Sequence, residues 1–281
     1  MPSPSGVSAP VSVKQRQPQP DGATGIPAVL MIPAVLAVGF LVLPLTALLI
    51  RAPWSSLGSL LSTPEVRDAL RLSVVSASLA TLISLIVGVP LAWVLARSQI
   101  RGRGVLRALV TVPLVLPPVV GGVALLLALG RRGVLGAPLY DATGVSFPFT
   151  TTAVVLAETF VAMPFLIISV EGALRAADRR YEDAAATLGA SRATTFRRVT
   201  LPLVAPGVAA GAVLCWARAL GEFGATITFA GNFPGTTRTM TLQVYLALET
   251  DPDAAIALSL VLLAVSIFTL ALLRDRWLMR T

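Results

Sequence analysis

Six stretches of this chain are long and apolar enough to cross a lipid bilayer, and no other feature limits its folding as strongly. A hydrocarbon core about 30 Å thick needs roughly 20 apolar residues per helical crossing. Residues 22–50, 72–96 and 108–130 carry no charge over 29, 25 and 23 positions. Residues 151–170 contain only Glu158, residues 206–230 only Arg218 and Glu222, and residues 254–273 none. Charged residues make up 13% of the chain, against about 25% in an average globular protein. The alternation of a membrane β-barrel is absent. The expected fold class is an all-α integral membrane protein with six transmembrane helices.

The net charge of +8 would point to nucleic acid in a soluble protein. Here the arginines collect near span ends, where they set topology. One side gathers Lys14, Arg16, Arg97, Arg101, Arg103, Arg107, Arg175, Arg179, Arg180, Arg192, Arg197, Arg198, Arg274, Arg276 and Arg280. The other side has Arg51, Arg67, Arg71, Arg131, Arg132 and Arg238. The richer side marks the cytoplasm, which predicts both termini inside and no nucleic-acid partner. Residues 1–25 are rich in Pro, Ser and Gln and read as a disordered cytoplasmic tail. The apolar run that follows exceeds a signal-peptide core and predicts an uncleaved first span. The organisation read here is a disordered tail at 1–25, a first span and external loop at 26–65, a multi-span membrane domain at 66–273 and a cytoplasmic tail at 274–281.

The missing residues restrict the chemistry. The chain has no histidine and one cysteine, Cys215, inside an apolar span. Histidine–cysteine metal sites and Ser–His or Cys–His catalysis are therefore excluded. The only lysine is Lys14, so a phosphate-binding loop of the form GxxxxGK[ST] cannot form. The chain reads as a non-enzyme with no cofactor of its own. If ATP powers it, another chain holds the ATP and its Mg²⁺.

Residues 182–202, EDAAATLGASRATTFRRVTLP, interrupt the apolar pattern with a polar, basic knob on the cytoplasmic side. Glu182 and Asp183 suit the first turn of a helix. Gly189 suits a left-handed C-terminal cap. Ser191 can cap a second short helix that runs through Phe196 and Val199. Pro202 and Pro206 mark that helix's end and the start of the fifth span. The small residues Ala184, Ala185 and Ala186 leave the first helix slim enough for a partner's groove, with Leu188 as apolar anchor.

The order Asp183-Ala184-Ala185, Gly189, Val199, Leu201-Pro202 resembles the cytoplasmic "EAA" signature of type I ABC importer permeases. Asp183 stands where that family usually has Glu, and Val199 where it usually has Ile. The resemblance covers roughly residues 66–273. It implies a coupling helix carried by Glu182, Asp183, Ala184, Ala185, Leu188 and Gly189. It also implies the family's partners: a second copy of the chain, two ATP-binding cassette subunits, an extracytoplasmic oxyanion-binding protein and membrane lipid. The implied location is the plasma membrane.

Residues 112–122 (VPLVLPPVVGG), 158–172 and 217–241 resemble the molybdate branch of that family. The RALGEFG segment is shared with sulfate permeases. The implied cargo is molybdate, with tungstate; the alternatives are sulfate or thiosulfate, and outside the family a passive channel or ion-coupled transporter.

Arg218 is the one cation inside an expected span. A charge at that depth costs roughly 2.5–3.5 kcal/mol on insertion scales, so it faces the bundle interior or a cavity. Glu222 lies four residues on, on the same helical face, and Glu158 is a second possible partner. Arg218, Glu222 and Glu158 form either a structural ion pair or a gate on the translocation pathway. Thr226, Thr228, Thr236, Thr237, Arg238 and Thr239 read as a polar outer loop. Gly207 and Gly211 form a small-xxx-small pattern for close helix packing.

Overall fold

The computed structural model describes residues 28–278. The expected tail at 1–25 and the last three residues of the expected tail at 274–281 lie outside them. Among the described residues every regular element is helical. The first helix, α1 (Ala28–Ile50), is apolar on all sides and holds Pro33 and Pro44. That is the pattern of a membrane-spanning helix. Its residues 28–47 are the described part of one compact unit, and the chain from Leu48 forms the other.

The second unit is a helical bundle. A short α2 (Leu57–Leu61) lies in the segment read as an external loop. The long α3 (Pro64–Arg97) starts with Pro64 at a position where the missing N–H costs nothing. Next come α4 (Arg103–Val115), α5 (Pro118–Leu129), α6 (Gly136–Thr143) and α7 (Thr151–Ala176). Helices α3 and α7 run parallel. Ser76 Oγ reaches Glu158 near their first halves, and Arg175 reaches the Leu95 carbonyl near their ends. The buried side of α3 carries Ala77, Ala80, Ser84, Gly88 and Ala92, small residues that let helix backbones approach closely; Gly88 lies against Leu166 and Ile167 of α7.

Two parallel helices in sequence require a crossing between them. The pair α4–α5 supplies it, broken by a 118° bend at Leu116–Pro117. Its contacts move steadily back along α7. Arg107 bonds Glu171, Gly121 meets Phe160, and Leu129 packs on the cluster of Ala153 and Val154. The bend has a local cause, since consecutive prolines remove two N–H donors and force the preceding residue out of helical geometry. The expected third span is thus a broken crossing rather than a straight one.

The knob follows as α8 (Arg180–Thr187) and α9 (Arg192–Thr195). A π-turn, Phe196–Thr200, leads into α10 (Leu201–Leu220). The expected stop at Pro202 does not occur, because the stretch from Arg192 to Leu220 is one continuous helix. The Leu201 N–H bonds the Phe196 carbonyl five residues back. This wider turn comes just before Pro202, whose ring would otherwise press on the carbonyl four residues earlier. Helix α10 packs antiparallel to α7. The Ser169 hydroxyl donates to the Gly207 carbonyl, and a Cβ on Gly211 would lie 3.0 Å from Ser169 Cβ. The small-xxx-small reading of Gly207 and Gly211 holds.

Helix α10 ends at Leu220, short of the expected end at residue 230. The chain breaks at Gly221–Phe223 and restarts as the six-residue α11 (Gly224–Phe229). Then α12 (Met240–Thr250) and α13 (Pro252–Leu278) follow. The last helix continues through the first five residues of the expected C-terminal tail. Ala255 and Leu258 cluster with Val66 and Ala69, while Val265 packs on the next core cluster, to which α3 contributes from Ala77 onward, so α13 runs parallel to α3. The bundle therefore has one arginine-rich end, where α3 and α7 finish and the knob sits.

Candidate functional site

At the arginine-rich end the knob has the local form that its sequence calls for. Gly189 has φ of +81°, a left-handed value that favours glycine. The Ala190 N–H then reaches back to the Ala185 carbonyl. Ser191 Oγ accepts from the Thr194 N–H at 3.2 Å and caps α9. Leu188 is 88% exposed and Tyr181 60%, so the knob carries an apolar tip into solvent. Asp183, Ala184 and Ala186 are exposed beside it, and Ala185 is half-buried.

Glu182 faces inward. Its Oε1 accepts from Arg97 NH2 and from Thr200 Oγ1, both at 3.1 Å. Arg97 belongs to α3, 85 residues earlier, and its side chain is 7% exposed. Sequence reading missed this partner, because nothing in local spacing links a span's last residue to a knob two crossings later. It also missed Glu171, which holds both Arg107 and Arg175. The i,i+4 spacing of Glu171 and Arg175 was the legible half of that cluster.

The second constellation lies within the bundle. Arg218, in the last turn of α10, pairs with Glu222 at 2.6 Å. The contact has the distance of an ion pair but not the alignment of a hydrogen bond. Glu222 is not on the same helix as expected; it sits in the break after it. Its Oε1 accepts from the Ala225 N–H at 2.9 Å and caps α11. Its carbonyl accepts from Thr241 Oγ1 at 2.7 Å. The break is thus where α10 ends, α11 starts and α12 attaches.

Glu158 takes no part in the ion pair. It is buried in α7 and accepts from Ser76 Oγ at 2.8 Å. Its Oε2 and the hydroxyl of Thr226 have no hydrogen-bond partner among the described residues. Glycines hold α11 against α5. A Cβ on Gly122 would sit 2.8 Å from the Ala225 carbonyl, and one on Gly224 would sit 2.9 Å from Pro118 Cβ. Of the residues read as an outer polar loop, Thr226 is buried in α11, Thr228 and Arg238 are half-buried and Thr236 is exposed. Thr237 and Thr239 are buried, and Arg238 braces Asn232 Oδ1 at 2.8 Å.

Residues 88–280 match the family described as "Binding-protein-dependent transport system inner membrane component". The chain is 53% identical over 243 residues to the molybdenum transport system permease protein ModB of Mycobacterium tuberculosis, covering 86% of this chain and 92% of that one. It is 35% identical over 236 residues to the sulfate transport system permease protein CysT of Escherichia coli, covering 82% and 84%. Its fold is similar to a chain of a bacterial alginate ABC transporter solved with its substrate-bound periplasmic protein. The TM-score is 0.70 at 17% identity, over 90% of this chain and 94% of that one. An all-helical bundle with a broken crossing and a capped knob at its arginine-rich end, matched over most of its length, belongs to the family of binding-protein-dependent transport system inner membrane components.

Proposed function

We propose that this chain is the membrane-spanning subunit of an ATP-driven importer of molybdate, with tungstate as a second cargo. The single observation that carries the cargo is the higher identity to a molybdenum permease than to a sulfate permease. In this reading two copies form the pathway. Two ATP-binding cassette subunits bind ATP and Mg²⁺ below them, and an outer oxyanion-binding protein delivers the anion. The chain itself makes and breaks no covalent bond.

The arginine-rich end is the cytoplasmic one in this reading, by the charge bias of short loops. That places both termini in the cytoplasm and the knob against the ATPase. Leu188 and Tyr181 then enter a partner groove as apolar anchors, with Asp183 and the alanines at the rim. Closure of the ATPase pair draws the two knobs together and tilts the bundles.

Arg218 and Glu222 form the gate. The guanidinium is partly exposed and its carboxylate is almost fully buried. A passing dianion replaces Glu222 as the partner of Arg218, while the Ala225 N–H keeps Glu222 in place. Ions crossing a bilayer need such a protein-lined polar path. Glu158 lines the wall behind this pair.

The test is reconstitution of the chain with its ATPase and binding protein in proteoliposomes. Molybdate uptake should require ATP and should persist under equimolar sulfate. Uptake without ATP would favour a channel or ion-coupled carrier, and displacement by sulfate would reassign the cargo.

A further inference from the structure

Two physical routes lead from the knob into the membrane. One follows the chain through the π-turn into α10. That route is soft, because Pro202 and Pro206 carry no N–H and leave gaps in the first turns of the helix ladder. The other route leaves the chain at Arg97.

The Arg97 guanidinium gathers four elements. Its NH2 donates to the Ala177 carbonyl at 3.3 Å, just past the end of α7, and to Glu182 Oε1 at 3.1 Å. The same Oε1 holds Thr200 of the π-turn. Arg179 and Arg175 add bonds to the carbonyls of Ala96 and Leu95, each at 3.4 Å. These are terminal carbonyls of α3, which lack partners within their own helix and favour cations. Trp93 of α3 meets Phe196 of the π-turn edge-on, with ring centroids 6.5 Å apart.

We propose that Arg97 is a positioning residue that bolts the knob to the inner ends of α3 and α7, so that the three move as one body. Motion imposed on the knob then enters the membrane through α3 and α7 as well as along the chain into α10. This inference rests on the coupling role proposed above for the knob.

The test uses the full importer in proteoliposomes, with Cys215→Ala as background because Cys215 is the only native cysteine. The pair Arg97→Cys and Glu182→Cys removes the bolt, and a short bifunctional thiol reagent replaces it covalently. With the pair reduced, ATP hydrolysis should persist while molybdate uptake falls at least about tenfold, the scale of a strongly coupled pair. Bridging should restore uptake. A reduced pair that transports like the background would overturn the proposal, as would bridging that fails to restore uptake. Loss of the ATPase subunit from the reduced pair would also overturn it, by placing Arg97 in docking. Failure of the coupling role itself has a separate signature: Leu188→Asp would leave the ATPase bound and uptake normal. If the cysteine pair does not insert, Arg97→Lys tests the same point. It keeps the charge but loses the fork, and uptake per ATP should fall. An unchanged ratio would overturn the proposal.

Discussion

Arg97 and Arg218 each hold a glutamate, at 3.1 and 2.6 Å, but the two pairs are built in opposite ways. Glu182 lies 85 residues from Arg97, and their contact joins elements that the chain does not connect directly. Glu222 lies four residues from Arg218, and their contact fixes the path of the chain itself. The first pair is a bolt between bodies beside an open, exposed knob. The second sits in a break that an ion pair, a helix cap and two glycine contacts determine together. A transporter needs both kinds, since motion must pass through rigid bodies while the pathway keeps its shape.

If the break is determined in this way, removing Glu222 should have the largest effect. Glu222→Ala leaves Arg218 without its partner and the Ala225 N–H uncapped, which should cost about 3–5 kcal/mol. Folded yield and thermal stability in detergent measure this. Replacing both members, Arg218→Met with Glu222→Leu, should be less damaging, because no charge is left alone. Equal damage would mean that the pair is not what holds the break.

Gly122→Val comes next. Its side chain would press on the Ala225 backbone and Thr228, and overpacking of this kind costs about 1–3 kcal/mol. The thermal midpoint should drop. An unchanged midpoint would show that α11 moves freely on α5.

The knob should respond differently. A Cβ on Gly189 meets nothing within 4 Å, so Gly189→Val is penalised only by its left-handed backbone, about 1–2 kcal/mol. Membrane insertion should be unaffected while uptake per ATP falls. Normal uptake would remove the knob's shape from the coupling account.

The smallest effect is expected for Glu158→Gln. The amide oxygen can still accept from Ser76, so stability should change by under about 1 kcal/mol. A large loss of uptake at unchanged stability would move Glu158 from the wall into the gate.

The difference between the two pairs also explains what could be read beforehand. Helix periodicity and span length work locally, so the apolar helices, the Gly189 cap and the Ser191 cap were legible. The four-residue spacing of Arg218 and Glu222 was legible too, although it implied one continuous helix. The break at Gly221–Phe223 arises from tertiary bonds, namely Thr241 to the Glu222 carbonyl and Gly224 against Pro118. Two consecutive prolines mark a break in the helix at Pro117 but do not encode a bend of 118°. The register of α3 on α7 determines that Arg97 reaches Glu182, and no local pattern encodes that register. The π-turn was missed because Pro202 reads as a stop, whereas a wider turn ahead of it lets the helix continue.

The central claim is that the knob is where a partner ATPase drives this subunit. Its most direct test places a photo-crosslinking residue at Leu188 in the assembled importer. The account predicts a covalent product with the ATP-binding subunit, formed in high yield and changing with nucleotide state. Cross-links confined to lipid or to a second copy of this chain would contradict it.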